Sequence, residues 1–470
     1  MNVTTRISQN YGEVFASQRE TSLKLRSSTV AQRIAKLKKL EAAVLAHRGE
    51  IYRALMEDLH KAEAETDLAE LMPVLGEIRH AVRHLKSWMR PRRVAPTLAM
   101  LGTQGHIQWQ PKGVTLIISP WNYPLGLTLG PLASAIAAGN TAIVKPSELS
   151  PACSAVMGRI ISEVFEPSEV AMFEGGPEVS TALLDLPFDH IFFTGSPAIG
   201  KIVMAAAAKH LSSVTLELGG KSPVILDASA DIRKAAKSIM WGKFLNAGQT
   251  CIAPDYLFVH ETVLPAFLEE ARRAVTSMFG EPRTSPDYGR IINPRHAERI
   301  AALLEDAVAD GARIAEGGQH DTAAKFIAPT LLTHVGLTSR VMQEEIFGPV
   351  LPVIAYSDLG DVIFHINEHP KPLALYIYAS DQRAIDRVML ETSSGGACVN
   401  MSLLHFSHAN LPFGGVNNSG IGAAHGVFGF RAFSHERAVL RDRFSTMPML
   451  FPPYTSRVQR LVKLVLKFFV

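Results

Sequence analysis

Residues 113–144 contain no charged side chain and are long enough to cross a bilayer. Their punctuation rules out a span. Pro120, Pro124, Pro131, Gly126, Gly130 and Gly139 divide the stretch into a β-branched run at 114–118, a short small-residue helix at 129–138 and a second run at 141–144. That pattern is a buried β-α-β unit, which commits this part of the chain to a parallel sheet covered on both faces. The runs VAMFEG, HIFFTG, VTLEL and PVILD continue the alternation with helix-like segments to about residue 226, a Rossmann-like arithmetic. Residues 231–400 repeat it with YLFVH, KFIAPTLL, LYIYA and GACVN, so a second α/β domain is expected, followed by a Gly- and Asn-rich loop region at 405–430.

Upstream, Val30, Ile34, Leu37, Val44, Ile51 and Leu55 recur at helical spacing and residues 68–88 continue in the same style, so the first ~90 residues are expected to be helical and to wrap the later sheet. Residues 97–110 carry turn glycines between two extended runs, a β-hairpin that either packs locally or reaches a partner subunit. At 470 residues the chain suits about three domains. Its 47% hydrophobic and 19% charged content excludes a disordered chain, and a net charge of +3 gives no sign of a nucleic-acid binder. Cys153, Cys251 and Cys398, with no Cys-x-x-Cys, support neither a disulfide framework nor a zinc site, so no metal is expected. The start MNVTTRISQNYGEVFASQRE lacks the form of a secretory signal, which makes the cytoplasm the expected compartment.

Six segments are candidates for chemistry. In FFTGSPAIGK, residues 192–201, a strand meets glycines and then a helix, the place where α/β sheets bind phosphate, although an ordinary strand-to-helix turn has the same form. Pro197 breaks a strict G-x-G-x-x-G, and Ile202 denies a Walker A loop its magnesium-binding hydroxyl, which removes the ATPase reading. In VTLELGGKSP, Glu217 ends an apolar strand beside two glycines. A partly desolvated carboxylate there has a raised pKa suited to a general base, the alternative being a glutamate that caps the next turn or pairs with a lysine. In NAGQTCIAP, Cys251 lies in a polar turn, as a nucleophile or as an inert buried thiol, while Cys153 and Cys398 sit in apolar runs that favour inertness. SPWNYP offers the Asn122 amide as a fixed oxyanion donor or as a turn asparagine. KPSE, with Lys145 and Glu148, and EEIFGPV supply groups able to bind ribose or phosphate, or ordinary ion pairs. No G-x-S-x-G or H-E-x-x-H occurs, which excludes the corresponding serine hydrolases and zincins.

The order PWNYP, KPSE, FTGSxxxG, ELGGKSP, GQTC and EEIFGPV resembles the aldehyde dehydrogenase superfamily over nearly the whole chain, to LPFGGVNNSGIGAAHGVFGFRAFSHER. NAGQTCIAPDY, INEHPKPLALYIYA and the HGVFGFRAFSH ending are similar to its class 3 branch of fatty, aromatic and coniferyl aldehyde enzymes. The resemblance implies a Rossmann-like cofactor domain (1–96 and 111–216), a second α/β catalytic domain (217–405) and a small bridging element (97–110 and 406–440) that supports a homodimer. It implies that Cys251 attacks an aldehyde, that Asn122 and the Cys251 N–H hold the oxyanion, and that Glu217 activates the water that hydrolyses the thioester. The cofactor, NAD or NADP, would meet Trp121, Lys145, Glu148, Gly195, Ser196, Gly200, Glu345 and Phe347. One departure is Asn417, which stands where the family's FGG-V-G pattern has its last glycine, near the substrate entrance. Two rival readings are a coenzyme A-acylating enzyme, disfavoured by the water-activating Glu217, and a non-catalytic scaffold, which has no need of Asn122, Glu217 and Cys251 together.

The tail, 448–470, sets Arg457, Arg460, Lys463 and Lys467 on one helical side and Val458, Leu461, Val462, Val465, Leu466 and Phe469 largely opposite. Such a basic amphipathic helix lies in the interface of an anionic membrane, or docks over the substrate entrance or a dimer seam. Residues 441–470 hold six Lys/Arg and one Asp, so the rest of the chain is slightly acidic.

Overall fold

The structure, a computed structural model, describes residues 11–97 and 100–469. The first ten residues, part of the segment expected to lack a secretory signal, and residues 98–99 of the expected hairpin lie outside the described residues. The N-terminal segment is helical, as its periodicity predicts, with helices Tyr11–Leu25, Val30–Ala46, Arg48–Leu59 and Met72–Trp88. A capping box starts the second of these: Gln32 N–H donates to Thr29 Oγ1 (3.3 Å) while Thr29 N–H donates to Gln32 Oε1 (2.8 Å). Leu37, Leu40, Leu55, Ile78 and Leu85 of these helices bury against Ile117, Val144 and Phe192 of a sheet.

Strands β1 (Arg92–Val94) and β2 (Thr103–Pro111) pair antiparallel, Val94 opposite Gly105. The hairpin expected at 97–110 is thus displaced, because Pro96 lacks a ladder donor and the first arm ends at residue 94. Next come β3 (Val114–Ile118), β4 (Thr141–Lys145), β5 (Val170–Met172), β6 (His190–Gly195) and β7 (Ser213–Leu218), parallel and in the order β7-β6-β3-β4-β5. Both faces are covered: Ile117, Val144 and Phe192 face the N-terminal helices, and Leu116, Ile143, Ile191 and Phe193 the opposite layer. The order reverses at β3, which opens a crevice beyond the carboxyl ends of β3 and β6, where open α/β sheets bind ligands. The helix after β3 spans Gly126–Ala138, three residues earlier than expected; Pro131 inside it removes only the bond to the Leu127 carbonyl.

The second sheet collects β8 (Pro223–Leu226), β9 (Tyr256–His260) and β10 (Arg313–Glu316); a small pair, β11 (His320–Asp321) and β12 (Phe326–Ile327), stands apart; then follow β13 (Thr330–Thr333), β14 (Val350–Tyr356), β15 (Ala374–Tyr378) and β16 (Gly396–Val399). Among the described residues its order is β10-β13-β14-β9-β8-β15-β16, with β10 antiparallel. KFIAPTLL splits into β12 and β13 because Pro329 interrupts it. β14, hidden in the sequence by Pro352, is central, paired with β13 and β9.

The expected 405–430 loop region contains β17 (Gly420–Ile421), antiparallel to β7, and runs into the helix Gly426–Ala432. β18 (Ser434–Asp442), too polar to read as a strand, pairs with the free side of β2, Ser434 opposite Pro111. The tail forms the helix Ser456–Phe469, whose Leu464, Leu466 and Phe468 are exposed. Among the described residues no helix is long and apolar enough to cross a membrane.

Candidate active site

The loop after β3 and the turn after β6 converge on one cavity, lined by Trp121, Asn122, Thr194, Gly195, Ser196, Glu217, Gly219, Cys251, His296, Arg299, Glu345 and Phe347. Ser196 caps the helix Pro197–Ala208, its Oγ accepting the Ile199 N–H (3.4 Å), and Pro197 occupies the first turn, where its missing donor costs nothing. That helix aims its free N–H groups and positive dipole end at the crevice. Gly200 allows the helix to lie on the sheet: a Cβ there would stand 2.6 Å from Leu218 Cδ2. The Trp121 ring packs between His296 (5.3 Å) and Phe347 (5.4 Å, edge-on). Lys145 and Glu148 stand outside this cavity, where Lys145 Nζ donates to Glu148 Oε2 at 2.9 Å at the end of β4.

Cys251 follows a turn of three left-handed residues, Asn246 (φ 52°), Ala247 (φ 50°) and Gly248 (φ 76°). Gly248 is required there, since a Cβ would collide with the Gly348 carbonyl at 2.3 Å. Buried Gln249 locks the turn, donating to the carbonyls of Asn246 (2.9 Å) and Arg290 (3.0 Å) and accepting the Ile292 N–H (2.9 Å). The Asn122 amide donates one hydrogen to the Gln249 carbonyl at 3.0 Å, which leaves the second for a ligand beside Cys251.

Beneath Asn122 lies a pair that the sequence reading missed. Lys61 Nζ donates to Glu70 Oε1 (2.8 Å) and to the Asn122 carbonyl (3.2 Å), and both charged side chains are fully buried. Glu70 also accepts the Gly126 N–H (2.9 Å), and Glu65 accepts the Asn246 N–H (2.9 Å), so the pair and its neighbour brace the Asn122 and Cys251 loops together. A lysine in DLHKAE gives no sign of burial; only the fold supplies it. Arg299, also missed, donates to the carbonyls of Glu345 (3.3 Å) and Ile346 (2.5 Å).

Burial dominates the electrostatics. Glu217, with no partner for either carboxylate oxygen among the described residues, is held well above the usual carboxylate range. Burial, with Glu345 and Glu217 adding negative field, pushes the Cys251 thiol up to about 12, and burial with nearby Asp255 pushes Glu345 up to about 8. The thiol is therefore protonated at rest. Cys153 is buried, in line with its inert reading; Cys398 is buried too, but its Sγ lies 3.1 Å from His405 Nδ1. Burial pushes that thiol up and the imidazole down to about 4, so the pair is neutral.

Cys251 also lines an apolar funnel walled by Leu68, Tyr123, Trp241, Leu245, Leu403 and Phe406. A thiol and a carboxylate thus meet where a dinucleotide-shaped crevice joins an apolar entrance. The aldehyde dehydrogenase family model matches residues 2–439. The chain belongs to the aldehyde dehydrogenase family. As such it is an oxidoreductase that oxidises aldehydes with NAD or NADP. This aldehyde dehydrogenase is 44% identical to the 4,4'-diaponeurosporen-aldehyde dehydrogenase of Staphylococcus aureus, over 90% of this chain and 92% of that one. It is 44% identical to aldehyde dehydrogenase family 3 member A2 of Rattus norvegicus, over 90% of this chain and 86% of that one. Among solved structures, the substrate-bound state of Staphylococcus aureus AldH superposes with a TM-score of 0.93 at 40% identity, covering 99% of this chain and 100% of that one. The aldehyde dehydrogenase fold expected from the motifs is the one observed. Asn417 has φ 55°, so a left-handed backbone explains a position shared by glycine and asparagine; its Oδ1 accepts from Lys371 Nζ at 3.1 Å.

Proposed function

We propose that the enzyme converts medium- or long-chain aliphatic or aromatic aldehydes into carboxylic acids through a thioester on Cys251. The observation that carries this is the apolar funnel that ends on the Cys251 thiol, since an apolar wall favours lipophilic substrates. The cofactor crevice fits a dinucleotide: a Ser196-capped helix end stands ready for its phosphates, and Trp121, Glu345 and Phe347 form its inner wall. What NAD(P) supplies there when bound is acceptance of a hydride.

The chain's own residues do the rest. The Cys251 thiol gives its proton to Glu217 as sulfur bonds to the aldehyde carbon, and the Asn122 amide with the Cys251 N–H takes the oxyanion of the thiohemiacetal. Burial makes the ionised Glu217 a stronger base, while the burial-raised thiol opposes the transfer, so the step depends on the Asn122 and Cys251 N–H donors stabilising the oxyanion that forms with it. After oxidation Glu217 passes the thiol proton to water, then takes a proton from a second water as hydroxide adds to the thioester; the Cys251 sulfur leaves and regains a proton from the carboxylic acid product. Lys145 and Glu148 serve the adenosine ribose, Gly195 lets the backbone approach the phosphates, and Gly200 seats the phosphate-facing helix on the sheet. Residues 1–96 and 111–216 act as the cofactor domain, 217–405 as the catalytic domain, and the β1-β2-β18 sheet as the bridge of a homodimer.

The tail binds an anionic membrane surface and brings lipophilic aldehydes to the funnel. Support comes from the exposed Val462 and Leu466 on the apolar side of the helix Ser456–Phe469, opposite its basic residues, and none of its described residues lines the funnel. Co-sedimentation with anionic liposomes should be lost in a chain ending at Pro448; equal behaviour would refute the membrane role. For the chemistry, NAD(P)H formation is measured over hexanal, dodecanal, benzaldehyde and coniferaldehyde. Turnover should favour dodecanal and the aromatic aldehydes and vanish in Cys251→Ser; undiminished turnover in that variant would overturn the nucleophile.

A further inference from the structure

Each turnover leaves a proton on Glu217, and Glu217 has no hydrogen-bonded route out. A third cavity supplies one. It adjoins the inner end of the funnel, sharing Leu127, Cys251 and Phe406 with it, and is further lined by Glu217, Thr194, Ser134, Glu77 and His425. Its space exists because the helix Gly126–Ala138 presents Gly130, Pro131 and Ser134 to it; a Cβ on Gly130 would meet nothing within 4 Å. About 40 Å³ is open to the centres of water molecules, where one water needs roughly 10–15 Å³. Thr194 Oγ1 and both Glu217 oxygens are buried without a partner among the described residues, so the cavity has the polar groups that hold water in place.

His425 closes the outer end. Its Nδ1 is 3.7 Å from Glu77 Oε2, and its ring stands edge-on to Phe406 (4.7 Å) and Phe413 (5.5 Å). The side chain keeps 20% of its exposure against 7% for Glu77, so the pair spans interior and solvent. Glu77 is itself fixed, accepting the Gly426 N–H at 2.7 Å and the Ser134 hydroxyl at 3.4 Å. The backbone of His425 is strained, with φ 69° and ψ 138°, a region that glycine tolerates and histidine does not. A side chain retained at such a backbone cost points to a role for the imidazole.

We propose that His425, oriented by Glu77, carries the proton of each turnover from Glu217 to solvent through water in this cavity, which rests on Glu217 being the base. When hydroxide adds to the thioester, the water proton sits on a Glu217 oxygen. Glu217 passes it to cavity water, and that water passes a proton to His425 Nε2. The Glu77 carboxyl stands 3.7 Å from Nδ1, and the ring then releases a proton to bulk water. The histidine and both carboxyls return to their starting forms, and no other reactant is consumed.

The test compares wild type, His425→Gly, Gly130→Leu and Glu217→Gln in the full-length enzyme. Glycine suits the backbone of residue 425 and leaves an imidazole-sized gap; leucine at 130 fills the cavity without touching the pair. First-turnover NAD(P)H formation should be unchanged in His425→Gly and Gly130→Leu. Steady-state turnover should fall about tenfold or more in both, with acyl-enzyme visible by mass and a larger solvent deuterium effect. Added imidazole should restore His425→Gly and leave Gly130→Leu slow. Wild-type turnover in His425→Gly overturns the proposal, as does a proportional loss of first-turnover rate without imidazole rescue. If Glu217→Gln hydrolyses its acyl-enzyme normally, the base assignment itself fails; if it is slow while His425→Gly is normal, the relay alone fails.

Discussion

A Cys251 thiol raised to about 12 makes the enzyme without cofactor a poor thiol reagent, by an amount that can be worked out. At about pH 7.5 a free cysteine of pKa about 8.5 is one-tenth thiolate, whereas a thiol of about 12 is ionised to roughly one part in thirty thousand. That is a deficit of about 3.5 decades, or ~5 kcal/mol. A more basic thiolate is intrinsically more nucleophilic, and a Brønsted slope of about 0.4–0.5 returns about 1.6 decades. The net expectation is a reaction about a hundredfold slower than free cysteine. The assay is site-resolved labelling of Cys251 with 4,4′-dithiodipyridine, a neutral disulfide suited to the apolar funnel, over roughly pH 6 to 10 without cofactor. The logarithm of the rate should climb one unit per pH unit with no plateau, because the thiolate fraction grows tenfold each time. Glu345→Gln should change the rate little at about pH 7 and raise it above about pH 8, where the Glu345 carboxyl is ionised and its charge is the largest contribution after burial. A plateau with a midpoint below about pH 9 would refute the reasoning and mean that the resting site already holds a thiolate.

Three other outcomes are expected. Glu217→Gln should stabilise the protein increasingly with pH: the folded state keeps the carboxyl protonated above the ordinary 4.5, where the unfolded chain has released its proton. The wild type therefore loses ~1.4 kcal/mol per pH unit up to the raised value, and the melting-temperature gain of the variant should grow as the pH rises above about 5; a constant gain would contradict the burial argument. Lys61→Met leaves Glu70 buried and unpaired and should cost about 3–5 kcal/mol in urea denaturation. Lys61→Met/Glu70→Leu should recover most of that loss, and turnover should stay lowered in both because the Asn122 carbonyl keeps only the Asn246 amide (2.8 Å) of its two donors. Gly200→Ala forces a Cβ onto Leu218 and should cost about 1–3 kcal/mol by overpacking; KM for the dinucleotide should rise about tenfold, an increase that Gly200→Ala/Leu218→Ala reverses.

What the sequence revealed and what it concealed divide along one physical line, the distance over which a residue's role is decided. The parallel sheets were legible because strands buried on both faces must be apolar throughout, and prolines and glycines mark their ends within a few residues. The ends of those strands were legible as site positions for the same reason: Asn122 follows β3, Ser196 follows β6 and Glu217 ends β7. β18 was not, because its residues are exposed apart from Ser434 and the half-buried Val439. Its pairing is decided by β2, more than three hundred residues earlier in the chain. Lys61 is an unremarkable lysine until Glu70 and the Asn122 carbonyl surround it. The same holds for His425, whose Glu77 partner lies far away in sequence, and whose strain no local pattern announces. Asn417 joins the two scales: its departure from glycine was visible at once, and only φ 55° shows that the backbone demand is unchanged. The substitution therefore adds a side chain without altering the loop, and what it adds is the contact with Lys371. Chemistry decided by one residue and its neighbours can be read from sequence; burial, strain and proton routes belong to pairs that only the fold brings together.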